Sequence, residues 1–268
     1  MNIDRETKKC ISISEKPGSF GVDFHNRFYN KLNLNYVYFP LKVDSSQLKS
    51  MTSLLKENFH GCSVSMPHKK EVINFLDELD DSAREIGVVN TILNKDGLLV
   101  GYNTDYYGAK KAIQEKTDIN NKEVLMMGAG SVATAIGYAI RDLGGKLTIA
   151  NRNFEKARDL AKRLNANVLN WDERNKSPNK FLLINATSIG FCNKEDTPIE
   201  KESISNYEVV MDVVIGDTNL IKTAKKLSKT VIPGFFMTTH QAAKQFEIYT
   251  SKEIPNSLLE DFLRENGK

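Results

Sequence analysis

The sequence predicts an α/β protein with two domains, each built around its own sheet. Short apolar stretches alternate along the chain with amphipathic stretches of helical spacing, a pattern typical of βαβ units and parallel strands. The 268 residues fit two hydrophobic cores better than one. Apolar residues make up 40% of the chain and charged residues 26%, which excludes a disordered or collagen-like chain.

The first hundred residues predict a run of strands interrupted by helices. Strands are expected at 10–14, 36–41, 61–65, 88–94 and 98–101, and helices at 24–32, 48–58 and 69–79. The helix over 69–79 rests on the helical spacing of Val72, Phe75, Leu76 and Leu79. The turn signal at residues 95–97 predicts a hairpin between the last two strands.

A second block of alternating elements follows the segment 101–105. Thr104 or Asp105 is expected to cap a helix over 106–115. Further strands are predicted at 123–127, 146–150, 181–185, 209–214 and 230–232, with helices at 132–143, 154–164, 219–227, 238–249 and 256–264. This order predicts a parallel sheet for the second domain.

Charge and cysteine content exclude several function classes. The net charge of +3 and the short basic stretch, which we interpret as a solvated helix face, give no sign of a nucleic-acid partner. The three cysteines lie far apart without a CxxC motif, so neither a disulfide framework nor a metal site is expected. The sequence shows no signal peptide and no apolar run of membrane-spanning length. We therefore expect a cytoplasmic protein without a membrane partner.

A glycine-rich loop predicts a nucleotide site. The apolar stretch 124–127 leads directly into Gly128-Ala129-Gly130-Ser131-Val132-Ala133, and a helix follows. Gly128 permits the tight turn, Gly130 lets the backbone approach a pyrophosphate, and Ala133 is small enough for close packing of helix on strand. Free N–H groups at the start of the helix favour the negative charge. The alternative, a plain tight turn, remains open.

The end of the second strand of this block favours NADP over NAD. NAD-binding proteins usually carry Asp or Glu there to grip the ribose 2′-hydroxyl. This chain has Asn151-Arg152-Asn153 instead, and the Arg152 guanidinium can form a charge-assisted contact with a 2′-phosphate. The alternative is that Arg152 is an ordinary solvated surface residue.

Seven short motifs, in chain order, carry a family resemblance. They are GCSVSMPHKK at 61–70, GVVNT at 87–91, GYNTDYYG at 101–108, NRN at 151–153, NATSIGF at 185–191, Asp212 with Thr218 and Leu220, and Gly234 with QAAKQFEIYT at 241–250. Together they resemble the motifs of the shikimate dehydrogenase family over nearly the whole chain. None of these residues alone decides anything, since Lys69 alone is more typical of a surface lysine and Asp105 alone of a helix cap.

The resemblance implies a fold and an activity. It implies an N-terminal α/β substrate-binding domain over 1–103, completed by 238–268, a Rossmann NADP-binding domain over 104–237, and a substrate cleft between the two. The implied reaction is the reversible, NADP-dependent reduction of 3-dehydroshikimate to shikimate. The implied partner is a small molecule resembling shikimate or quinate, and the chain is expected to be a monomer or homodimer.

The resemblance also assigns roles to residues of this chain. Lys69 and Asp105 are the implied catalytic pair. The implied substrate-binding residues are Ser19, Gly21, Ser63, Ser65, Asn90 and Gln241. The implied cofactor-binding residues are Gly128, Ala129, Gly130, Ser131, Val132, Ala133, Asn151, Arg152, Asn153, Thr187, Ser188 and Gly234.

The chain departs from the family pattern in its substrate-recognition residues. The family signature Ser-x-Ser-Pro supplies two hydroxyls for the substrate carboxylate, and here Ser19 matches the first serine while Gly21 and Val22 replace the second serine and the proline. Ser63 stands for an asparagine, and Ile215 for a tyrosine. These changes resemble a divergent, shikimate-dehydrogenase-like subgroup. They predict weak or altered activity on shikimate, with dehydrogenation of quinate or another cyclic hydroxy acid, or non-catalytic metabolite binding, as the alternatives.

Overall fold

The computed structural model describes residues 3–176 and 180–267, and the chain divides into two compact units. The first comprises Met1–Thr104 and Gln241–Asp261, and the second comprises Asp105–His240 and Phe262–Lys268. The sequence prediction set the boundaries at 103/104 and 237/238 and gave the whole C-terminal segment to the first domain. Those domain bounds stay a prediction; the two compact units divide at 104/105 and 240/241, and residues 262–268 fall in the second unit.

The first unit is built on a mixed six-stranded sheet. Its strands are β1 (Lys8–Ser14), β2 (Tyr36–Lys42), β3 (Gly61–Val64), β4 (Glu78–Leu79), β5 (Thr91–Lys95) and β6 (Leu98–Tyr102). They lie in the order β2-β1-β3-β5-β6-β4. β1 runs parallel to both β2 and β3, whereas β5 is antiparallel to β3 and forms the predicted hairpin with β6.

Along the chain, α1 (Phe20–Lys31), α2 (Leu48–Asn58) and α3 (Asp81–Ile86) connect strands of this sheet. Apolar residues of the strands and of α2 form one buried cluster that includes Ile13, Leu55, Val64 and Ile92. α2 matches its predicted range. α3 was not predicted; Asp80 caps its first turn, and Gly87, with φ 70°, ends it in the left-handed conformation.

The predicted helix over 69–79 is wrong. A short 3₁₀ helix (Glu71–Phe75) is followed by the strand β4, which pairs with β6. The reason is a tertiary contact: the Asp77 N–H donates to the Leu99 carbonyl at 3.0 Å, and the Asp77 carboxylate accepts from the Leu99 N–H at 2.7 Å. Pairing with β6 therefore overrides the local helical spacing. The strand predicted over 88–94 likewise begins only at Thr91, since residues 87–90 leave α3 through a turn.

The second unit contains a six-stranded, wholly parallel sheet. Its strands are β7 (Glu123–Met127), β8 (Lys146–Ala150), β9 (Asn167–Leu169), β10 (Leu182–Asn185), β11 (Val209–Asp212) and β12 (Thr230–Ile232). The order β9-β8-β7-β10-β11-β12 is that of a Rossmann fold. β9 was not predicted. The strand order reverses between β7 and β10, and ligands of such sheets bind beyond the carboxyl ends of strands at this point.

The remaining helices are α4 (Thr104–Gln114), α5 (Ser131–Asp142), α6 (Phe154–Leu164), α7 (Asn219–Lys226), α8 (Gly234–Thr250) and α9 (Asn256–Asn266). Residues 234–240 of α8 belong to the second unit and residues 241–250 to the first. Within the described ranges, every helix is too short or too polar to cross a membrane.

Candidate functional site

The loop between β7 and α5 requires glycine at its first position. Gly128 has φ 118°, a conformation that residues with a side chain rarely adopt. Its N–H donates to the carbonyl of Ala150 at the end of β8, at 2.8 Å. A Cβ there would lie 2.6 Å from the carbonyl oxygen of Ala186, which follows β10. Gly128 thus lets the loop pass between the ends of the neighbouring strands.

Gly130 faces open space at the start of α5. A Cβ at this position would meet no atom of the described residues within 4 Å. Its carbonyl accepts from the N–H and the hydroxyl of Thr134, both at 2.9 Å, which holds the first turn in place. The first N–H groups of α5, from Ser131 to Ala133, have no acceptor within the helix. Ala133 itself is buried against the sheet, as its predicted packing role requires.

The segment after β8 presents one cation. The Asn153 side chain caps α6 by accepting from the Lys156 N–H at 3.1 Å, and the Asn151 amide donates to the Asn153 carbonyl at 2.8 Å. Arg152 is exposed between these two asparagines and makes no hydrogen bond or ion pair with any residue in 3–176 or 180–267. The nearest carboxylate in sequence, Glu155, is paired with Arg158. The Arg152 charge is therefore free to meet a phosphate.

A buried network joins the ends of β10 and β11. The Asn185 amide donates to the Asp212 carboxylate at 2.9 Å, and the Thr218 hydroxyl donates to the other carboxylate oxygen at 2.7 Å. Burial raises the pKa of Asp212 above its ordinary value. The Thr187 hydroxyl donates to Asn185 Oδ1 at 2.7 Å and accepts from the Ile189 N–H at 3.0 Å, so it braces this loop.

Two further predicted cofactor contacts lie around this network. Ser188 is exposed next to Thr187. Gly234 begins α8, and a Cβ there would lie 2.6 Å from the Val213 carbonyl oxygen, so close packing behind β11 explains this glycine. Cofactor contact by Thr187, Ser188 and Gly234 stays a prediction. The open face of Gly130, the start of α5 and the free Arg152 together fit a phosphorylated dinucleotide.

The first unit gathers amides and hydroxyls around Asn90. Asn90 is buried, and its Oδ1 accepts from the Thr104 N–H at 2.7 Å and from the Thr91 hydroxyl at 2.9 Å. Its Nδ2 donates to Gln241 Oε1 at 3.3 Å. Gln241 is partly exposed, so its own amide N–H groups are available to a ligand. The structure thus brings two of the predicted substrate-binding residues together across 151 positions of sequence.

Ser63 on β3 lies in a neighbouring group of polar side chains. The Ser63 hydroxyl donates to Gln245 Oε1 at 3.1 Å, lies 3.0 Å from the Tyr249 hydroxyl and accepts from the Tyr38 hydroxyl at 2.7 Å. The Gln245 amide donates to the Thr91 hydroxyl at 2.9 Å, which joins this group to the one around Asn90.

Gln245, Tyr249 and Tyr38 were not predicted as site residues. Gln241, Gln245 and Tyr249 follow one another at intervals of four along α8, so they share one face of the helix, and that spacing was the available signal. Tyr38 lies among apolar and aromatic residues in β2, so from the sequence it looks like an aromatic residue of the core.

His25 supports this group from α1. Its ring is stacked on the ring of Tyr38, with centroids 4.4 Å apart, and its Nε2 lies 3.4 Å from Gln245 Oε1. Burial lowers the pKa of His25 to about 3, so the ring is neutral at physiological pH.

The other predicted substrate-binding residues lie at the ends of elements. Ser19 is exposed at the start of α1 and makes no capping hydrogen bond with its side chain. Ser65 follows β3, where its N–H donates to the Ile13 carbonyl at 2.9 Å and its side chain is exposed. Gly21 lies in the first turn of α1, and a Cβ there would lie 3.0 Å from the Tyr38 hydroxyl.

The implied catalytic residues are both largely buried. Lys69 is 8% exposed, just after a cis Met66–Pro67 peptide, and its carbonyl accepts from the Val89 N–H at 2.8 Å. Asp105 is 7% exposed and lies in the first turn of α4. A surface lysine or a simple helix cap is not expected to be so buried. Lys69 belongs to the first unit, and Asp105 begins the second.

Comparisons with known proteins match both units. A model of the shikimate dehydrogenase substrate-binding domain matches residues 18–92, and a shikimate/quinate 5-dehydrogenase model matches residues 109–190. A protein of Methanosphaera stadtmanae named shikimate dehydrogenase (NADP(+)) is 38% identical over 248 residues, which cover 87% of this chain and 88% of the relative. This chain belongs to the shikimate dehydrogenase family.

Other members extend the likeness to the whole fold. A shikimate dehydrogenase-like protein of Haemophilus influenzae is 36% identical over 265 residues, 96% of each chain. A shikimate dehydrogenase solved in complex with NADP+ matches with a TM-score of 0.91 at 32% identity, covering 100% of this chain and 98% of that chain. The Listeria monocytogenes family enzyme, solved with shikimate and NAD, gives a TM-score of 0.89 at 29% identity and covers 98% of each chain. The predicted family and fold class are thereby confirmed.

Proposed function

We propose that this protein catalyses the reversible, NADP-dependent reduction of 3-dehydroshikimate to shikimate. The observation that carries the proposal is the buried Lys69 beside the Asn90 group. The backbone bond from the Val89 N–H to the Lys69 carbonyl ties the lysine to the residue that precedes Asn90. A buried lysine in the same unit as the amides of Asn90 and Gln241 is suited to a substrate with a ketone and several hydroxyls.

We propose that the first unit binds the substrate and the second binds the cofactor. The start of α5 and the open face of Gly130 are suited to the pyrophosphate, and Arg152 to a 2′-phosphate. The cofactor, when bound, would supply the hydride as NADPH or accept it as NADP+. Relatives named as NADP(+) enzymes support this choice of cofactor.

The residues of this chain supply position and charge. As the ketone is reduced, its oxygen becomes negative, and the Lys69 ammonium stabilises that charge and delivers the proton. Asp105 is the second residue of the proposed catalytic pair. Asn90 and Gln241 orient the ring hydroxyls, and because Asn90 Oδ1 already accepts several protein donors, the amide N–H groups are the ones left for the substrate.

Substitution of Lys69 tests the catalytic assignment. We expect Lys69→Met to lower kcat for shikimate oxidation by about 10²-fold or more while NADP binding is unchanged, because general acid–base catalysis contributes on that scale. The matched control is Lys70→Met, since Lys70 is the exposed neighbour in the chain. Turnover is followed at the absorbance of reduced nicotinamide. Equal rates for the two variants would contradict the role of Lys69.

Quinate is the second candidate substrate. The departures at Gly21 and Ser63 fall in the unit proposed to bind the substrate, and the model that matches residues 109–190 is named for both shikimate and quinate. A higher kcat/KM for quinate than for shikimate would favour this alternative, with the same roles for Lys69 and Asp105.

A further inference from the structure

The side chain of Tyr38 lies over the bare face of Gly21. A Cβ on Gly21 would lie 3.0 Å from both the hydroxyl oxygen and Cε1 of Tyr38, and 3.3 Å from Cζ. Such contacts are tighter than side chains normally make. A serine at position 21 would therefore crowd the tip of the phenol, which would have to move by a few tenths of an ångström.

Tyr38 is held in this position from two sides. Its ring is stacked on the ring of His25, and its hydroxyl donates to Ser63 Oγ at 2.7 Å. The ring is buried, whereas Gly21 and Ser63 are each partly exposed. The hydroxyl thus lies where the core of the unit meets its accessible surface.

The Tyr38 hydroxyl is chemically suited to bind an anion. Burial raises the pKa of the phenol above its ordinary value, so it stays protonated and can donate at any physiological pH. It lies against the first turn of α1, whose N–H groups lack acceptors within the helix and favour negative charge. If the Tyr38 hydroxyl donates to a ligand instead of to Ser63, Ser63 still donates to Gln245 and can accept from the Tyr249 hydroxyl. No buried group is then left without a hydrogen bond.

We propose that Tyr38 is a specificity-determining residue that donates a hydrogen bond to the carboxylate of the substrate in place of a side chain at position 21. This inference rests on the proposed function, because it takes the substrate to be a cyclic hydroxy acid. Gly21 and Tyr38 then act together in recognising the substrate carboxylate, because the absence of a side chain at position 21 leaves room for the Tyr38 hydroxyl. Replacement of Gly21 alone by serine is not expected to improve shikimate binding, since the new side chain would crowd Tyr38.

The test compares two tyrosines on the same face of β2. Tyr38→Phe removes only the hydroxyl that lies against Gly21. The control, Tyr36→Phe, removes a hydroxyl that donates to the Tyr249 carbonyl at 3.1 Å and does not lie against Gly21. KM and kcat are measured for shikimate and for its methyl ester, which lacks the negative charge, and NADP affinity is measured separately.

We expect Tyr38→Phe to raise KM for shikimate about tenfold or more with a small change in kcat, because a hydrogen bond to a charged group is lost. For the methyl ester the increase is expected to be less than about threefold. Tyr36→Phe should match the wild type with both compounds.

Other outcomes separate the two proposals. A wild type that turns over shikimate, with Tyr38→Phe and Tyr36→Phe behaving alike, overturns the role of Tyr38 and leaves the proposed function standing. Equal losses for shikimate and its ester overturn the carboxylate contact. A wild type that binds NADP but neither binds nor turns over shikimate overturns the proposed function and this assignment with it.

Discussion

At the scale of single residues, burial distinguishes polar side chains that are bonded to one another from those whose side chains have no protein partner within the described ranges. Asn90 and His25 are fully enclosed, and each is bonded to neighbouring side chains. Ser65 and Arg152 are exposed and bonded to nothing through their side chains within the described ranges. Substitution of the enclosed residues is therefore expected to affect stability as well as any ligand contact, whereas substitution of Ser65 or Arg152 should affect ligand affinity alone.

The buried His25 predicts a pH dependence of stability. The unfolded chain takes up a proton on this ring near pH 6.5, but the folded chain does so only near pH 3. Between these values the unfolded state binds more protons, so the free energy of unfolding falls as the pH is lowered, by up to about 1.4 kcal/mol per pH unit. Urea unfolding from pH 7 to pH 4.5 measures this slope.

The matched variant is His25→Phe, which keeps an aromatic ring but cannot be protonated. It should flatten the slope below pH 6.5, while His60 and His240, whose pKa values are also lowered by burial, continue to contribute in the same direction. An unchanged slope in His25→Phe would show that this ring is not held neutral by the fold.

We propose that the preference for NADP over NAD depends on Arg152. We expect Arg152→Ala to weaken NADP binding about tenfold or more and to leave NAD binding within about twofold, because only NADP carries the 2′-phosphate. Titration of both cofactors by calorimetry measures this. Arg158→Ala is a suitable control, since Arg158 is already paired with Glu155 on α6. Equal losses of NADP and NAD affinity would remove Arg152 from the cofactor contact.

At the scale of elements, the loop between β7 and α5 contains two glycines with different roles. Gly128 is needed by the fold, and Gly130 faces open space where a ligand can approach. Gly128→Ala should lower the free energy of unfolding by about 2 kcal/mol or more, since it combines a positive φ with a backbone clash. Gly130→Ala should be nearly neutral for stability because its Cβ enters open space, yet it should weaken NADP binding. Urea unfolding and NADP titration of both variants test the pair. Equal stability losses would contradict this distinction.

The elements predicted best from the sequence are those whose apolar pattern matches the burial that the fold gives them. The strands β7 and β8 and the helix α6 match their predicted ranges, because buried parallel strands are continuously apolar and α6 is strongly amphipathic. The prediction of a helix over 69–79 is wrong because Asp77 pairs with Leu99, a long-range contact that the spacing of nearby apolar residues does not reveal. β9 has only three residues and was missed for lack of any local pattern.

Several residues of the proposed site come from the family resemblance, and their roles stay predictions. Asn90, Lys69 and Gln241 lie in short motifs that resemble those of a known family. Tyr38 and Tyr249 were missed because a buried tyrosine looks like a core aromatic until its hydroxyl is seen to meet Ser63. Only the folded chain brings residues 38, 63 and 249 together.

At the scale of the whole molecule, two units with different sheets are joined in one chain. The unit with the mixed sheet carries the amide and hydroxyl groups, and the unit with the parallel sheet carries the glycine loop and Arg152. Each unit matches a family model of its own, one named for substrate binding and one for the dehydrogenase. The central claim is that these two units together oxidise shikimate with NADP.

One measurement tests that claim most directly: initial rates at the absorbance of reduced nicotinamide, with shikimate or quinate paired separately with NADP or NAD. We predict the highest kcat/KM for shikimate with NADP. The opposite result, bound NADP with no oxidation of shikimate, would contradict the claim and indicate a site that has been adapted to another ligand.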